Sequence, residues 1–220
     1  MEKIFWIGGS KGGVGKSAVS MAILDYLKDS KPMLLETDTA NPDVAKAYSN
    51  DVRTEVLDLD ESDGWIQLIN LCQEHLGPVV INSAARTEVG KNGQSLDLAL
   101  PELRRELIVF WVINRQRDSI ELLKDFISGV KSGQVHVVRN LYFGAGTKFE
   151  LFQKSNIRQE IEESGGSVLD FPDLADRVAD DLYTKRFSIQ RAGMELPIGN
   201  RIELARWRGL AHQMFKGVGI

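Results

Sequence analysis

Gly8-Gly9-Ser10-Lys11-Gly12-Gly13-Val14-Gly15-Lys16-Ser17 is the stretch from which the fold of this 220-residue chain can be read. It follows directly on a short apolar run, residues 3–7, and leads into a helical pattern over 17–27, where Val19, Ile23 and Leu27 share one stripe with Met21 and Leu24 beside it. Strand, glycine loop and helix in that order make a phosphate-binding loop. The glycines let backbone N–H groups turn inward around an anion, and the new helix adds the positive end of its dipole. Lys16 is placed to reach the β and γ phosphates of a nucleotide, and the Ser17 hydroxyl to ligate Mg²⁺. A glycine turn with no ligand would leave Lys16 and Ser17 at that spacing unexplained.

Outward from the loop, short runs rich in Ile, Val and Leu alternate with longer amphipathic stretches. Strands are expected at 3–7, 32–36, 78–81, 107–113, 135–139 and 167–170, with a weaker one at 53–57, and a helix at 119–126. The alternation reads as βαβ units, hence an α/β fold: a mostly parallel twisted sheet with helices on both faces, in three layers, its strands buried on both sides. Ligands bind such sheets at the carboxyl ends of the strands. Two acids stand at one such end, in Met33-Leu34-Leu35-Glu36-Thr37-Asp38, spaced so that both side chains point to one face. One can serve a magnesium shell and the other orient a water. The run Pro78-Val79-Val80-Ile81 ends at Asn82, whose amide can hydrogen-bond but brings no negative charge to a metal-bound water. Residues 83–95, polar and with two glycines, have the composition of a loop.

Composition sets the outer bounds. With 43% hydrophobic and 26% charged residues the chain is expected to form a single domain over 1–220. One cysteine, Cys72, excludes an internal disulfide and a cysteine-rich metal site, and points to the cytosol. His75, His136 and His212 lie far apart and read as structural or exposed. No run of about eighteen apolar residues occurs, so neither a signal peptide nor a membrane span is expected. The net charge of −4 is uneven: residues 183–220 hold seven basic side chains against two acids, leaving the remainder at −9. That tail fits an anionic partner or a helix of solvated arginines. Over 202–218, Leu204, Trp207, Ala211, Met214 and Val218 recur at helical spacing with Phe215 beside them, a stripe that reads as core rather than a membrane foot.

The loop departs from the ordinary pattern in having Ser10 for its first glycine, followed by a second lysine, Lys11. Lys11-Gly12-Gly13-Val14-Gly15-Lys16-Ser17 resembles the deviant Walker A motif of the ParA/MinD ATPases, among them plasmid partition, cell-division positioning and TraL-like conjugal transfer proteins, and order and length agree over nearly the whole chain. The resemblance implies ATP, ADP and Mg²⁺ as ligands, with Gly12, Gly13, Val14, Gly15, Lys16, Ser17 and Ala18 around the phosphates. It implies that Lys11 acts in trans across an ATP-bound homodimer, a lysine whose arrival would couple nucleotide state to assembly. Glu36 and Asp38 stand on the family's switch I pattern Asp-x-Asp, which makes Asp38 the catalytic candidate with Lys11 and Lys16, and Ser17, Glu36 and Asp38 the metal set. Asn82 stands where the family carries the Walker B aspartate and Ala18 where it commonly has threonine; 83–95 would be switch II. Asn140 at a strand end, and Pro172 with Asp173 in the loop Asp170-Phe171-Pro172-Asp173-Leu174, resemble the family's adenine site, while no Asn-Lys-x-Asp motif for guanine is present. The implied function is an ATP-dependent dimerising switch with slow hydrolysis, acting in partition, positioning or conjugal transfer. Nonspecific DNA, bound through Arg201, Arg206 and Arg208, and an adaptor or cargo protein are its expected partners, and a membrane is not. Two alternatives stay open: an ATP-binding adaptor with scarcely any turnover, and a metabolic ATP-dependent ligase. Lys11 argues against the ligases, and the single cysteine against cluster carriers.

Overall fold

The computed structural model describes residues 2–9, 12–85 and 92–220. These form a seven-stranded sheet in the order β3-β2-β4-β1-β5-β6-β7, every pair parallel. The strands are β1 (Lys3–Gly9), β2 (Met33–Glu36), β3 (Arg53–Val56), β4 (Val79–Asn82), β5 (Glu106–Ile113), β6 (Gln134–Asn140) and β7 (Val168–Phe171). All seven expected strands are present to within two residues at each end. After β1 the chain builds β2, β3 and β4 on one side, then crosses to β5, β6 and β7 on the other, so the crevice at the end of β1 is the natural ligand position.

Period-two alternation splits the interior into two cores. Phe5, Ile7, Leu34, Val80, Phe110 and Val112 face one side, where they meet α1 (Lys16–Tyr26), α2 (Asp43–Tyr48), α8 (Asp176–Lys185), α9 (Ile189–Glu195) and α10 (Ile198–Lys216). Ile4, Trp6, Met33, Leu35, Val79, Ile81 and Val109 face the other, covered by α3 (Ser62–Glu74), α4 (Gly93–Leu103), α5 (Asp118–Gly129), α6 (Glu150–Gln153) and α7 (Asn156–Glu163). On that second side Trp6 stacks on Trp65 at 6.0 Å and tilts against Phe126 at 5.6 Å, contacts each worth about 1 kcal/mol beyond area burial.

Two expectations need correction. Burial on both faces holds for the inner strands but not for the edges: in β7 Val168 and Leu169 are half-buried and Asp170 is exposed, and β3 has no fully buried residue. An edge strand has one neighbour and less cover, which the run's composition does not reveal. The loop expected over 83–95 ends early, since residues 93–95 open α4; residues 86–91 lie outside the described residues.

The C-terminal stripe is core, as expected. Leu204, Trp207, Ala211 and Phe215 of α10 are buried, and Met214 and Val218 pack at the rim. The helix is fastened to α1 through Asp25, which is buried, forms an ion pair with Arg208 Nε at 2.5 Å and lies 2.8 Å from His212 Nε2. Beyond α10, Tyr26 Oη donates to the Ile220 carbonyl and Lys3 Nζ to that of Gly219.

Candidate functional site

Gly15 carries a left-handed φ of +103° and hands the chain to α1 with no side-chain cap and no acidic residue in the first turn. The positive end of the helix dipole is therefore offset by neither a capping side chain nor a first-turn acid. Above them lies a cleft of about 560 Å³, floored by Gly12, Gly13, Gly15, Lys16, Ser17 and Ala18. Asp38, Asn41 and Asp43 line one wall, Asn82 and Ser83 the back, and Asn140, Tyr142, Phe171, Pro172 and Asp173 the opposite wall. The expected residues from the glycine loop, switch I and the adenine-like loop are thus brought to one opening. Lys11 lies outside the described residues. Val14 differs from its neighbours: its side chain is buried in the core below, and only its backbone belongs to the loop.

Asn140 braces the loop. Its Nδ2 donates to the Val14 carbonyl at 2.9 Å, and its Oδ1 accepts from the Tyr142 N–H at 3.1 Å. A Cβ on Gly15 would come within 2.2 Å of that Nδ2, so glycine is required here by contact as well as by φ. On the same wall, Pro172 is pinned by its carbonyl, which accepts from Trp207 Nε1 at 2.8 Å.

Below the floor sits a polar layer that alternation dictates. Glu36 and Asn82 are paired in register on neighbouring parallel strands, so their side chains emerge on the same face, under α1. Asn82 Nδ2 donates to Glu36 Oε1 at 2.8 Å, and Asn82 Oδ1 accepts from Ser20 Oγ at 2.8 Å. The Asp38 N–H donates to the same Oε1 at 3.1 Å, while Oε2 is buried without a hydrogen-bond partner. Burial pushes the Glu36 carboxyl up to about 7, against the opposing pull of Asn82 and the backbone N–H groups of Asp38 and Ala45. Lys16 is also buried; desolvation lowers its pKa, and the negative fields of Asp38 and Glu36 resist that shift. The two acids therefore converge on Lys16 from different depths, Asp38 at the cleft wall and Glu36 beneath it.

This donor set fits a phosphate-bound divalent cation: a hydroxyl at the helix start, a carboxylate at the wall, and a buried carboxylate oxygen lacking a partner. Ser20, Asn41, Asp43 and Tyr142 belong to the site and were not singled out from the sequence. Ser20 had a signal, since it falls one helical turn after Lys16 and Ser17. The others come from loops and short turns that carry no period.

The basic tail is less free than its composition suggests. Arg206 pairs with Glu203 at 2.6 Å, Arg208 with Asp25, Arg191 with Glu195 at 2.8 Å and Lys185 with Asp181 at 2.8 Å. Arg201 is half-buried. Of the three arginines read as solvated charges on the last helix, Arg208 is paired with Asp25 of α1 and Arg201 is half-buried, while Arg206 stays exposed beside Glu203 of its own helix.

A parallel three-layer sheet with a glycine loop opening its first helix is a P-loop fold, with the architecture of the ParA/MinD class. Solved structures share the fold over nearly the full chain. A Borrelia burgdorferi B31 protein, described as a plasmid partition protein and bound to AMPPNP, matches at TM-score 0.60 with 12% identity over 99% of each chain. MinD from Pyrococcus horikoshii OT3, complexed with Mg-ADP, matches at 0.55 with 14% identity over 93% of this chain and 95% of that one. No model of a known protein family matches. The chain belongs to the family of protein MobD from Acidithiobacillus ferrooxidans, with which it shares 54% identity over 222 residues, 99% of this chain and 98% of that protein. Among the described residues no helix is long and apolar enough to cross a membrane.

Proposed function

We propose that the chain binds ATP and ADP with Mg²⁺, dimerises on ATP through Lys11, and hydrolyses it slowly, as a cytoplasmic switch. Kinship with MobD favours conjugal transfer or mobilisation over chromosome partition. The observation that carries this reading is the uncapped start of α1 facing a cleft, with Lys16 and two carboxylates converging there. Gly12, Gly13, Gly15, Lys16, Ser17 and Ala18, with the Val14 backbone, hold the phosphates. Asn140 takes the adenine with the one Nδ2 hydrogen left by Val14, beside Pro172 and Asp173. Ser17, Glu36 and Asp38 serve the metal, which would offset phosphate charge, and Asp38 orients the attacking water. A reading as an adaptor with little turnover is favoured by one observation, the uncharged Asn82. Nonspecific DNA remains a partner only through basic groups outside the ion pairs, such as Arg186 and Lys216, and an adaptor protein completes the assembly.

Lys16→Ala tests the site. It removes the cation under the cleft and will lower ADP and ATP affinity at least about 100-fold, given charge-assisted phosphate contacts of roughly 3 kcal/mol. Equal calorimetric affinity in variant and wild type would rule the cleft out.

A further inference from the structure

We infer that Asn82 is a positioning residue for Glu36, and that the layer beneath the phosphate loop is built for one buried negative charge, carried on β2 instead of β4. The inference rests on the nucleotide reading above and deepens it. Glu36 and Asn82 face each other in register, with the carboxylate and amide 2.8 Å apart. Both are almost wholly buried. The amide works at both ends: Nδ2 donates to Glu36, and Oδ1 receives the Ser20 hydroxyl from the helix that bears Lys16. An ionised aspartate at 82 could accept from Ser20 but would donate nothing to Glu36, and it would set two acidic groups at hydrogen-bond distance in a desolvated site. Two such groups cannot both ionise.

The orientation has a purpose visible in the geometry. Glu36 Oε1 accepts from Asn82 and the Asp38 N–H, and beyond the pull of the Ala45 N–H on the carboxylate Oε2 makes no hydrogen bond, so Oε2 is the oxygen left to face a further partner. A fixed, buried oxygen with one vacancy, in the electrostatic neighbourhood of Lys16, suits a single water of a hydrated cation. Asn82 thus sets which oxygen is offered, and Ser20 couples that choice to α1. On this view asparagine at 82 is matched to glutamate at 36, and its neutrality is not a loss of metal-supporting charge.

A swap experiment decides the matter, with ADP as probe, measured by calorimetry with Mg²⁺ and with EDTA, alongside thermal unfolding of the nucleotide-free protein. Wild type will bind ADP more tightly with Mg²⁺ than without. Glu36→Gln and Asn82→Asp will each cut that Mg²⁺ enhancement by about tenfold, and Asn82→Asp will also lower the melting temperature. The double variant Glu36→Gln/Asn82→Asp, which returns one acid and one amide in exchanged places, will recover the enhancement to within about threefold of wild type. Asn82→Ala adds no charge and loses only the orientation. It will lower ADP affinity with Mg²⁺ by a larger factor than ADP affinity in EDTA, and it keeps the test alive if Asn82→Asp fails to fold. Losses in the double variant equal to the product of the single ones, or an Asn82→Ala variant with undiminished enhancement, would overturn the inference. No ADP binding by wild type would instead overturn the nucleotide reading itself.

Discussion

At Gly15 backbone and side-chain constraints coincide: a φ of +103° and the Asn140 amide both exclude a Cβ. Gly15→Ala will therefore destabilise by at least about 2 kcal/mol, from the left-handed backbone alone plus displacement of Asn140. Melting temperature and ADP titration read it out, and Asn140→Ala in the same chain will relieve only the steric part. His136 gives a pH dependence. It is buried on β6, stacked on Phe110 at 5.7 Å, with neither ring nitrogen hydrogen-bonded, and desolvation lowers its pKa. The unfolded chain then binds the proton more readily than the folded one, so this contribution to stability is complete above the ordinary value near 6.5 and falls away as pH drops below it. Replacing it with Phe will flatten the acid limb of the stability profile between pH 7 and 5, measured by urea unfolding. An unchanged slope would show that His136 is not the group responsible. At this scale the sequence displayed Lys16, Ser17, Asp38, Asn140 and Pro172, because spacing to a glycine loop or a strand end marks them. It did not display that Asn140 braces Val14, since a contact between residues 126 apart leaves no local pattern.

Among elements, the join between α1 and α10 has a measurable strength. Asp25 is buried beneath Arg208 and His212, whereas Arg206 and Glu203 form a pair on the surface. Arg208→Ala will cost on the order of 2 kcal/mol, less than the loss of a fully buried pair because Arg208 is about a third exposed and His212 still faces the carboxylate. Arg206→Ala will cost under about 1 kcal/mol. Paired chemical denaturation curves check the ranking, and equal costs would mean Asp25 is not held as described. The same join explains why the tail misleads when read as composition. Charge counts register Arg208 but not Asp25, 183 residues earlier, which meets it only in the folded chain. The strands were legible because buried parallel strands are continuous apolar runs. The edge position of β7 was not, because edge and centre differ in neighbours, not in their own residues.

For the whole molecule, assembly is the property to measure. If Lys11 reaches a partner's nucleotide, light scattering will show a mass near twice the monomer with ATP and Mg²⁺ and a monomer with ADP, and Lys11→Ala will bind nucleotide without doubling. If Asp38 orients the attacking water, Asp38→Ala will hold the larger species, since it keeps the phosphate contacts. One mass in every nucleotide state would end the trans-lysine reading. The hydrogen bonds from Lys3 to Gly219 and from Tyr26 to Ile220 bear on how such an assembly can be handled. They gather the first strand's beginning and the last residues at the amino edge of the sheet, whereas the glycine loop opens from the carboxyl edge. A fluorophore attached at residue 3 or 219 would stand a strand's length from the cleft.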